Sequence, residues 1–258
     1  MNNKKQKKER IDNLVVKYGL AQTCEKAKRL IMAELIFADE EKITKPGKLV
    51  SVDAIIKTKK QASFVGRGGD KLNGFFSDYQ VNIKDKICLD VGSSTGGFTD
   101  CLLSKEAKKV YAVDVGKGQL DWKLRNDPRV IVKEGVNARY ISSEIISELC
   151  DIIVMDVSFI SIEKILGSLY NLLTYKGIII ALIKPQFEAR REKIGEKGIV
   201  KDISVHKEVI KKIEDFAEKI NLTKLAVFPS KIIGTKGNQE YFIALQKNEE
   251  NEKIRNNS

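Results

Sequence analysis

Short apolar runs alternate with amphipathic segments between residues 86 and 245. Seven runs rich in valine and isoleucine predict β-strands at Lys86–Val91, Val110–Val115, Val130–Lys133, Asp151–Asp156, Ile178–Lys184, Lys224–Phe228 and Tyr241–Leu245. Stretches with helical spacing lie between several of them, at Phe98–Ser104, Ile160–Leu173 and His206–Ile220. This alternation predicts an α/β fold with a doubly wound, seven-stranded, mostly parallel sheet. Because the Gly234–Asn238 turn is short, the last strand is predicted to run antiparallel, which brings Glu240 to the edge where the other strands end.

The first 58 residues carry a different pattern. It predicts two short helices and then strands. The first helix is Ile11–Lys17, ended by Gly19, and the second is capped by Thr23 and has an apolar stripe of Ala27, Leu30, Ile31 and Leu35. A turn at Pro46-Gly47 and a strand at Ser51–Lys57 follow. We therefore predict a small N-terminal α+β domain at 1–58 with a basic tail at its start. A linker at 59–65, a larger domain at 66–248 and a polar tail at 249–258 complete the prediction.

The composition is that of a soluble globular protein, with 258 residues, 42% hydrophobic and 31% charged. The longest apolar run, Ile178–Ile183, is far shorter than the ~20 residues of a membrane helix. The start of the chain lacks the apolar stretch of a secretory signal, which predicts a cytoplasmic protein. The four cysteines are Cys24, Cys88, Cys101 and Cys150, and they form no Cys-x-x-Cys pair. They are predicted to be reduced core residues and not metal ligands, and no metal site is expected.

The formal net charge is +11, and residues 1–60 carry 15 basic and 8 acidic side chains. Such an excess favours a polyanionic partner, although a lysine-rich proteome would produce part of it. Cations occupy the face of the second helix opposite its apolar stripe, and Arg10 lies upstream: Lys26, Lys28 and Arg29. The arrangement resembles the S4-type RNA-binding module, with Phe37-Ala38-Asp39-Glu40 where that family has a Val-Asn-Gly turn. A solvated helical face without a ligand is the alternative.

The stretch Asp90–Phe98 includes the end of the first strand of the larger domain and the glycine-rich loop after it. It fails the dinucleotide fingerprint Gly-x-Gly-x-x-Gly, because Ser94 stands at the third position, where the second glycine is required. Asp90 precedes the loop and Asp114 closes the next strand, which suits the ammonium and the ribose hydroxyls of S-adenosylmethionine. A phosphate loop or a structural turn is the alternative. The predicted cofactor-binding residues are Asp90, Gly92, Ser93, Ser94, Thr95, Gly96, Gly97, Phe98, Asp114, Val115, Asn137 and Asp156.

Four charged residues are predicted to gather at the same edge of the sheet: Lys71, Asp156, Lys184 and Glu240. This order of residues resembles the tetrad of the FtsJ-like ribose 2′-O-methyltransferases. Motifs along nearly the full chain are similar to the TlyA (hemolysin A) family, at 66–72, 89–103, 108–129, 156–162, 183–188 and 234–241. The resemblance implies a Rossmann-like methyltransferase domain joined to an S4 module. It also implies S-adenosylmethionine-dependent 2′-O-methylation of cytidine in ribosomal RNA, with that RNA or a ribosomal subunit as the partner.

The four residues suit this chemistry because a ribose hydroxyl must lose its proton as the methyl group arrives. We assign Lys184 as the base, Lys71 as the neighbouring cation that lowers its pKa from about 10.4, Glu240 as the acceptor for both lysines, and Asp156 as a positioning carboxylate. Ordinary surface ion pairs are the alternative for each. The TlyA family commonly has Arg-Gly-Gly-Leu-Lys, whereas this chain has Asp70 before Lys71, which either perturbs the lysine or faces away.

Other residues receive weaker assignments. Arg67 is predicted to bind RNA. Residues Asn137–Arg139 are predicted either to contact adenine or RNA or to serve as a loop. His206 is predicted to be exposed, and Trp122 is predicted to pack within a helix. The cations of the loop after Glu188 are either phosphate contacts or solvated charge: Arg190, Arg191 and Lys193.

Other functions leave different marks on a sequence. Methylation of base amino groups typically uses an Asn/Asp-Pro-Pro-aromatic turn, whereas this chain has Asp156-Val157-Ser158-Phe159. Carbon-5 methylation needs a cysteine in the site, and Cys150 begins a strand instead of ending one. A catalytically silent RNA-binding or ribosome-assembly factor and a membrane-active hemolysin remain as alternatives from other functional classes.

Overall fold

The computed structural model describes residues 7–58 and 64–247, and the chain divides into two compact units between residues 62 and 63. Each unit is described by itself. Most of the predicted linker, residues 59–63, lies outside the described residues, as do residues 1–6 of the basic start and the predicted polar tail at 249–258.

Residues 7–58 of the N-terminal unit form two helices and five three-residue strands. Its elements are β1 (Lys8–Arg10), α1 (Ile11–Lys17), α2 (Cys24–Met32), β2 (Ile36–Ala38), β3 (Glu41–Ile43), β4 (Leu49–Ser51) and β5 (Ile56–Thr58). Strand β1 pairs with β4, and the other three form a sheet in the order β3-β2-β5. Thr23 caps α2 as predicted, since its Oγ1 accepts a hydrogen bond from Lys26 N at 3.2 Å. Apolar side chains of both helices and of β2 form the core, including Ile11, Leu14, Ala27, Ile31 and Ile36.

Two turns shape the strands of this unit. The predicted strand Ser51–Lys57 is wrong, because a turn separates β4 from β5. Ser51 Oγ accepts from Asp53 N at 3.2 Å there, a local bond that competes with strand pairing. Between β2 and β3, Asp39 and Glu40 have φ of 49° and 68°, the left-handed pair that closes a two-residue hairpin. The hairpin therefore forms without the glycine of the Val-Asn-Gly turn.

The larger unit contains the predicted seven-stranded sheet. Its strands are β6 (Ile87–Val91), β7 (Lys109–Asp114), β8 (Val130–Glu134), β9 (Cys150–Met155), β10 (Leu173–Ile183), β11 (Leu222–Pro229) and β12 (Tyr241–Lys247). Their order in the sheet is β11-β12-β10-β9-β6-β7-β8. Strand β12 is antiparallel to both neighbours, as the short turn before it predicted, while β10, β9, β6, β7 and β8 are mutually parallel.

Helices cover both faces of this sheet. They are α3 (Arg67–Asp78), α4 (Gly97–Ser104), α5 (Trp122–Arg125), α6 (Glu163–Tyr170), α7 (Pro185–Glu188) and α8 (Ile203–Lys219). Alternate residues of each strand enter opposite cores, because successive side chains point to opposite faces. In β6, Cys88 packs with α3 and α4, whereas Leu89 packs with α6 and α8. The apolar runs are thus explained by burial on both sides.

Three sequence-based expectations for this unit are wrong. The helix predicted at 160–173 ends at Tyr170, because β10 begins at Leu173 and continues past Lys176, whose φ is 58°. His206 is 5% exposed, since it lies on the inner face of α8 beside Val205. Trp122 is 76% exposed, because the four-residue helix that it begins is too short to cover an indole ring.

The cysteines of the larger unit are buried and free. Burial raises the pKa of Cys88, Cys101 and Cys150, so these thiols are poor nucleophiles. The prediction that Cys24 is a core residue is wrong: it is the first residue of α2, outside the buried face of that helix, and it is exposed. Among the helices of the described residues, none is both long and apolar enough to cross a lipid bilayer.

Candidate active site

A cavity of about 570 Å³ opens beside the carboxyl ends of the central strands. Strands β6 and β9 are neighbours there, although they are not consecutive along the chain, so the order of the sheet reverses between them. Ligands of doubly wound sheets bind at such a reversal. Six of the twelve predicted cofactor-binding residues line this cavity: Gly92, Ser94, Asp114, Val115, Asn137 and Asp156.

The loop after β6 requires left-handed backbone at three positions. The φ angles are 83° at Gly92, 48° at Ser94 and 96° at Gly96. A Cβ on Gly92 would lie 2.5 Å from the Asp156 carbonyl oxygen, so glycine is needed for the loop to approach β9. The loop thus lies close against the end of β9, and both segments line the cavity.

Asp114 orders the other side of this loop. Its Oδ2 accepts from Ser94 N at 2.8 Å, and its Oδ1 accepts from Gly116 N at 2.7 Å. These bonds hold Ser94 in its left-handed conformation and fix the carboxylate at the cavity wall. A fixed carboxylate at the end of this strand is positioned to bind the hydroxyls of a ribose.

Asp90 is fully buried beneath the loop. Its Oδ2 accepts from Thr99 Oγ1 at 2.7 Å, while Oδ1 has no hydrogen-bond partner among the described residues. Burial raises the pKa of Asp90 to about 7, and the charge of Asp156 adds to this shift. An orphaned carboxylate oxygen is satisfied by a cationic donor, so this residue fits the ammonium of an aminoacyl group.

Lys184 and Asp156 form an ion pair at the end of the central strands. Lys184 follows β10 and Asp156 follows β9, and Lys184 Nζ lies 2.6 Å from Asp156 Oδ1. The ammonium also donates a hydrogen bond to Ser158 Oγ at 2.9 Å. Parallel neighbouring strands bring these residues together because their carboxyl ends share one edge of the sheet.

Lys71 and Glu240 form a second, more deeply buried pair. Lys71 Nζ donates to Glu240 Oε2 at 2.6 Å, and the two residues are 8% and 3% exposed. Gly234 leaves the space for this carboxylate, since a Cβ there would lie 2.6 Å from Glu240 Oε1. Asp70 is half-buried, and its carboxylate forms no described hydrogen bond or ion pair with Lys71.

Helix α3 places Lys71 by packing closely on α4. A Cβ on Gly97 would lie 2.7 Å from Gly69 N, and a Cβ on Gly69 would lie 2.7 Å from Gly97 O. Gly68 is adjacent to Asp156, whose Oδ2 would be 3.9 Å from its Cβ. The first turn of α3 therefore lies beside the Lys184–Asp156 pair, and the two lysine–carboxylate pairs occupy one edge of the sheet.

The remaining predicted cofactor residues lie around the loop. Gly97 contacts α3, and the Phe98 ring packs in the core 6.1 Å from the Phe242 ring centre. A Cβ on Gly96 would clash with Leu124 at 2.2 Å, so this glycine serves the packing of α5. Ser93 is buried and Thr95 exposed, and neither lines the cavity.

The predicted RNA-binding cations have different surroundings. Lys26, Lys28 and Arg29 are exposed on α2. The Arg10 guanidinium instead donates to both carboxylate oxygens of Asp12, at 3.1 and 2.6 Å. Arg67 is exposed and donates to the Ile233 carbonyl oxygen at 2.8 Å.

Exposed groups also surround the cavity and the loop after Glu188. Asn137 accepts from Arg139 N at 3.1 Å, and both residues line the cavity. In the loop after Glu188, Arg190 and Arg191 are exposed, and Lys193 pairs with Glu208.

Three residues of this region were not predicted from the sequence. Ser158 binds Lys184, Phe159 is 88% exposed at the cavity with φ of 64°, and Glu188 is buried behind them. The Glu188 carboxylate accepts from Ser161 Oγ at 2.7 Å and Ile162 N at 2.8 Å, and burial raises its pKa. A serine and an aromatic residue just after a strand end were the available signals for Ser158 and Phe159. The sequence carried no such signal for Glu188.

The sheet order, the glycine loop at its reversal and the acidic strand ends define a Rossmann-like methyltransferase. The model of the FtsJ-like methyltransferase family matches residues 64–247, and the S4 domain model matches residues 9–56. The chain therefore belongs to the FtsJ-like methyltransferases and, within them, to the TlyA family that its motifs resemble. S-adenosylmethionine is the cofactor, and its ammonium and ribose match the carboxylates of Asp90 and Asp114.

Relatives resemble the chain over most of its length. A Bacillus subtilis protein provisionally named an rRNA methyltransferase, YqxC, is 45% identical over 241 residues, covering 93% of this chain and 86% of the relative. The 16S/23S rRNA (cytidine-2′-O)-methyltransferase TlyA of Mycobacterium tuberculosis is 37% identical over 239 residues, covering 92% and 89%. A solved structure from Streptococcus thermophilus, provisionally described as a hemolysin, is 41% identical with a TM-score of 0.73, covering 95% of this chain and 90% of that one.

Proposed function

We propose that this protein transfers a methyl group from S-adenosylmethionine to the ribose 2′-oxygen of a cytidine in ribosomal RNA. The observation that carries the proposal is the Lys184 ammonium held between Asp156 and Ser158 at the cavity. The names of the relatives from Bacillus subtilis and Mycobacterium tuberculosis support ribosomal RNA as the substrate. The N-terminal match to the S4 domain supports an RNA partner, either ribosomal RNA itself or a ribosomal subunit.

In the proposed mechanism, Lys184 removes the proton from the 2′-hydroxyl. Bound S-adenosylmethionine supplies an electrophilic methyl group on its sulfonium. The neutral Lys184 amine accepts the hydroxyl proton at Nζ, and the ammonium that forms is stabilised by Asp156 at 2.6 Å. Ser158 Oγ accepts a hydrogen bond from Nζ at 2.9 Å, which fixes the direction of the amine.

The Lys71–Glu240 pair orients the other side of the site. Glu240 is bound to Lys71 and not to Lys184, so the two carboxylates divide the two lysines between them. Lys71 is a buried cation one turn along α3 from Gly68, which is adjacent to Asp156. We assign this pair to holding α3 against the residue that precedes β12.

The exposed Phe159 ring is suited to stacking on the base of the target nucleotide. It lines the cavity, and its centre lies 4.8 Å from that of the Phe187 ring. Aromatic side chains bind unstacked RNA bases in this way. Base stacking beside the cavity would bring the attached ribose toward Lys184.

The domain assignments follow the same proposal. Residues 1–58 form the RNA-binding domain, 59–65 the linker, 66–248 the methyltransferase domain and 249–258 a tail. The exposed cations of α2 are assigned to phosphate contacts, as is Arg67 at the start of α3. Arg10 is likewise assigned to phosphate contacts, although its guanidinium already binds Asp12.

The decisive experiment measures incorporation of tritiated methyl groups into ribosomal subunits that lack ribose methylation, followed by mapping of the modified nucleotide. We expect the wild-type protein to label one or more cytidines. Lys184→Ala should abolish labelling while retaining binding of S-adenosylmethionine and of the subunit. Lys207→Ala, which removes an exposed lysine on α8, serves as the matched control.

Four results would contradict the proposal. Methylation of a base instead of a ribose would assign the chemistry to another acceptor. Unchanged labelling by the Lys184→Ala variant would show that Lys184 is not the general base. Subunit binding without any methylation would support an assembly factor, and leakage of liposomes by the purified protein would support a membrane-active one.

A further inference from the structure

Glu188 is a buried carboxylate that the proposed mechanism does not use. It is the last residue of α7, four positions after Lys184, and it is 9% exposed. Both carboxylate oxygens are occupied: Oε2 accepts from Ser161 Oγ, and Oε1 accepts from the backbone N–H of Ile162. Ser161 and Ile162 lie immediately before α6, so the carboxylate ties α7 to the start of that helix.

The same two segments meet at three successive places. One segment is residues 156–162, between β9 and α6, and the other is residues 184–188, directly after β10. Lys184 contacts Asp156 and Ser158 at one end. The rings of Phe187 and Phe159 meet in the middle, with their centres 4.8 Å apart, and Glu188 binds Ser161 and Ile162 at the other end.

These contacts differ in how firmly they hold. The Lys184 contact joins side chains at the cavity, and the Phe159 ring is almost fully exposed. Glu188 is buried, and its bonds include one to a backbone N–H, which fixes the main chain of the opposing segment. Charge-assisted bonds of this kind are stronger than bonds between neutral groups. Asp156 is held separately, because its backbone N–H donates to Val91 O at 3.0 Å. The position of residues 158–162 relative to Lys184 therefore depends most on Glu188.

We propose that Glu188 is a positioning residue that fixes residues 158–162 against α7 and thereby sets Ser158 beside Lys184 Nζ. This inference rests on the proposed function of Lys184 as the base. Glu188 is bonded to Ser161 and Ile162 and touches neither reacting group. A displacement of about 1 Å in a catalytic group is enough to lower a rate about a hundredfold, so loss of the carboxylate should reduce catalysis without removing any group of the site.

The test compares Glu188→Ala with Glu188→Gln in two measurements. The first is kcat for methyl transfer, and the second is the rate at which acetic anhydride modifies Lys184, followed by mass spectrometry. Glu188→Ala should lower kcat about a hundredfold and speed the modification of Lys184. Glu188→Gln should restore most of both values, because its amide oxygen still accepts from Ile162 N and its amide nitrogen can donate to Ser161 Oγ.

Glu163→Gln is the matched control. It removes a carboxylate from the first turn of α6, where Glu163 pairs with Lys212 at 2.6 Å, but that pair does not join the two segments. It should leave kcat and Lys184 modification unchanged. If Glu188→Ala fails to fold, Ser161→Ala removes one of the two bonds and should give a smaller change in the same direction.

The outcomes separate this proposal from the proposed function. Wild-type values of both measurements in a folded Glu188→Ala or Ser161→Ala protein would overturn the positioning role. Equal losses in Glu188→Ala and Glu163→Gln would overturn it too, because loss of charge alone would then explain them. If the wild-type protein does not methylate RNA, the proposed function fails, and the modification rate of Lys184 still decides whether Glu188 positions it.

Discussion

The substitution Gly234→Ala tests whether the Lys71–Glu240 pair needs its observed geometry. The added Cβ would lie 2.6 Å from Glu240 Oε1, whereas ordinary contacts begin at 3.4 Å, so the carboxylate must move by 3.4 − 2.6 = 0.8 Å or more. Gly234 does not have a left-handed φ, so alanine adds no backbone strain of that kind. The Cβ would also lie 3.2 Å from Asn238 O, a milder contact with the turn backbone, so the largest effect of the substitution falls on Glu240.

The magnitude follows from the bond that would be disturbed. Lys71 Nζ and Glu240 Oε2 are 2.6 Å apart in a buried, charge-assisted hydrogen bond. Such bonds are worth about 1.5–3 kcal/mol, which corresponds to roughly 10- to 150-fold in rate if the interaction is needed in the transition state. We expect kcat to fall by that factor. The affinity for S-adenosylmethionine should stay the same, because Gly234 does not line the cavity.

The assay is methyl transfer to ribosomal subunits under saturating cofactor, with cofactor affinity measured separately by calorimetry. Gly237→Ala is the control, because Gly237 lies in the same turn and its Cβ would have no neighbour within 4 Å. Its φ of 91° means that alanine costs stability there, yet catalysis should be retained. Wild-type kcat in Gly234→Ala, or an equal loss in Gly237→Ala, would refute the reasoning.

Three further predictions concern other groups of the larger unit. The association constant for S-adenosylmethionine should fall roughly eightfold from pH 7.5 to pH 6, because the pKa of Asp90 is raised to about 7 and its neutral form cannot pair with the ammonium. Calorimetry measures this constant, and a similar fall with pH in the Asp90→Asn variant would contradict the prediction. Phe159→Ala should lower kcat/KM for RNA roughly tenfold through lost base stacking, with Phe159→Tyr near wild type in steady-state kinetics; equal losses in both would exclude stacking. His206→Ala should lower the free energy of unfolding by about 2 kcal/mol, because Val200 O and Tyr241 Oη lose their hydrogen-bond partner. Urea titration measures this free energy, and an unchanged value would show that the two hydrogen bonds of His206 do not stabilise the fold.

The sheet was predictable because its strands are buried on both faces. Cys88 and Leu89 are both fully buried in opposite cores, so β6 begins with three consecutive apolar residues, Ile87 to Leu89, and is visible in the sequence. The antiparallel direction of β12 followed from a short turn. Burial of His206 was not predictable, because a polar residue four positions into a helix does not show which face will pack inward.

The sequence predicted which residues form the site better than it predicted the contacts between them. The ends of β9 and β10 predicted that Asp156 and Lys184 would be neighbours, because parallel strands end at one edge. The sequence did not show how the two carboxylates divide the lysines. That division depends on the close packing of Gly69 against Gly97, which sets the position of Lys71. The bonds of Ser158 to Lys184 likewise depend on loop conformation.

The Lys71–Glu240 bond joins residues that are 169 positions apart, and Glu240 lies immediately before the final strand of the sheet. During synthesis, Lys71 emerges long before its carboxylate exists, and until then the charged amine has no buried partner from β12. Contacts of such long range form late in folding. A nascent chain consequently carries an incomplete catalytic centre until its last strand inserts between β10 and β11, so enzymatic competence reports completed folding of the whole domain.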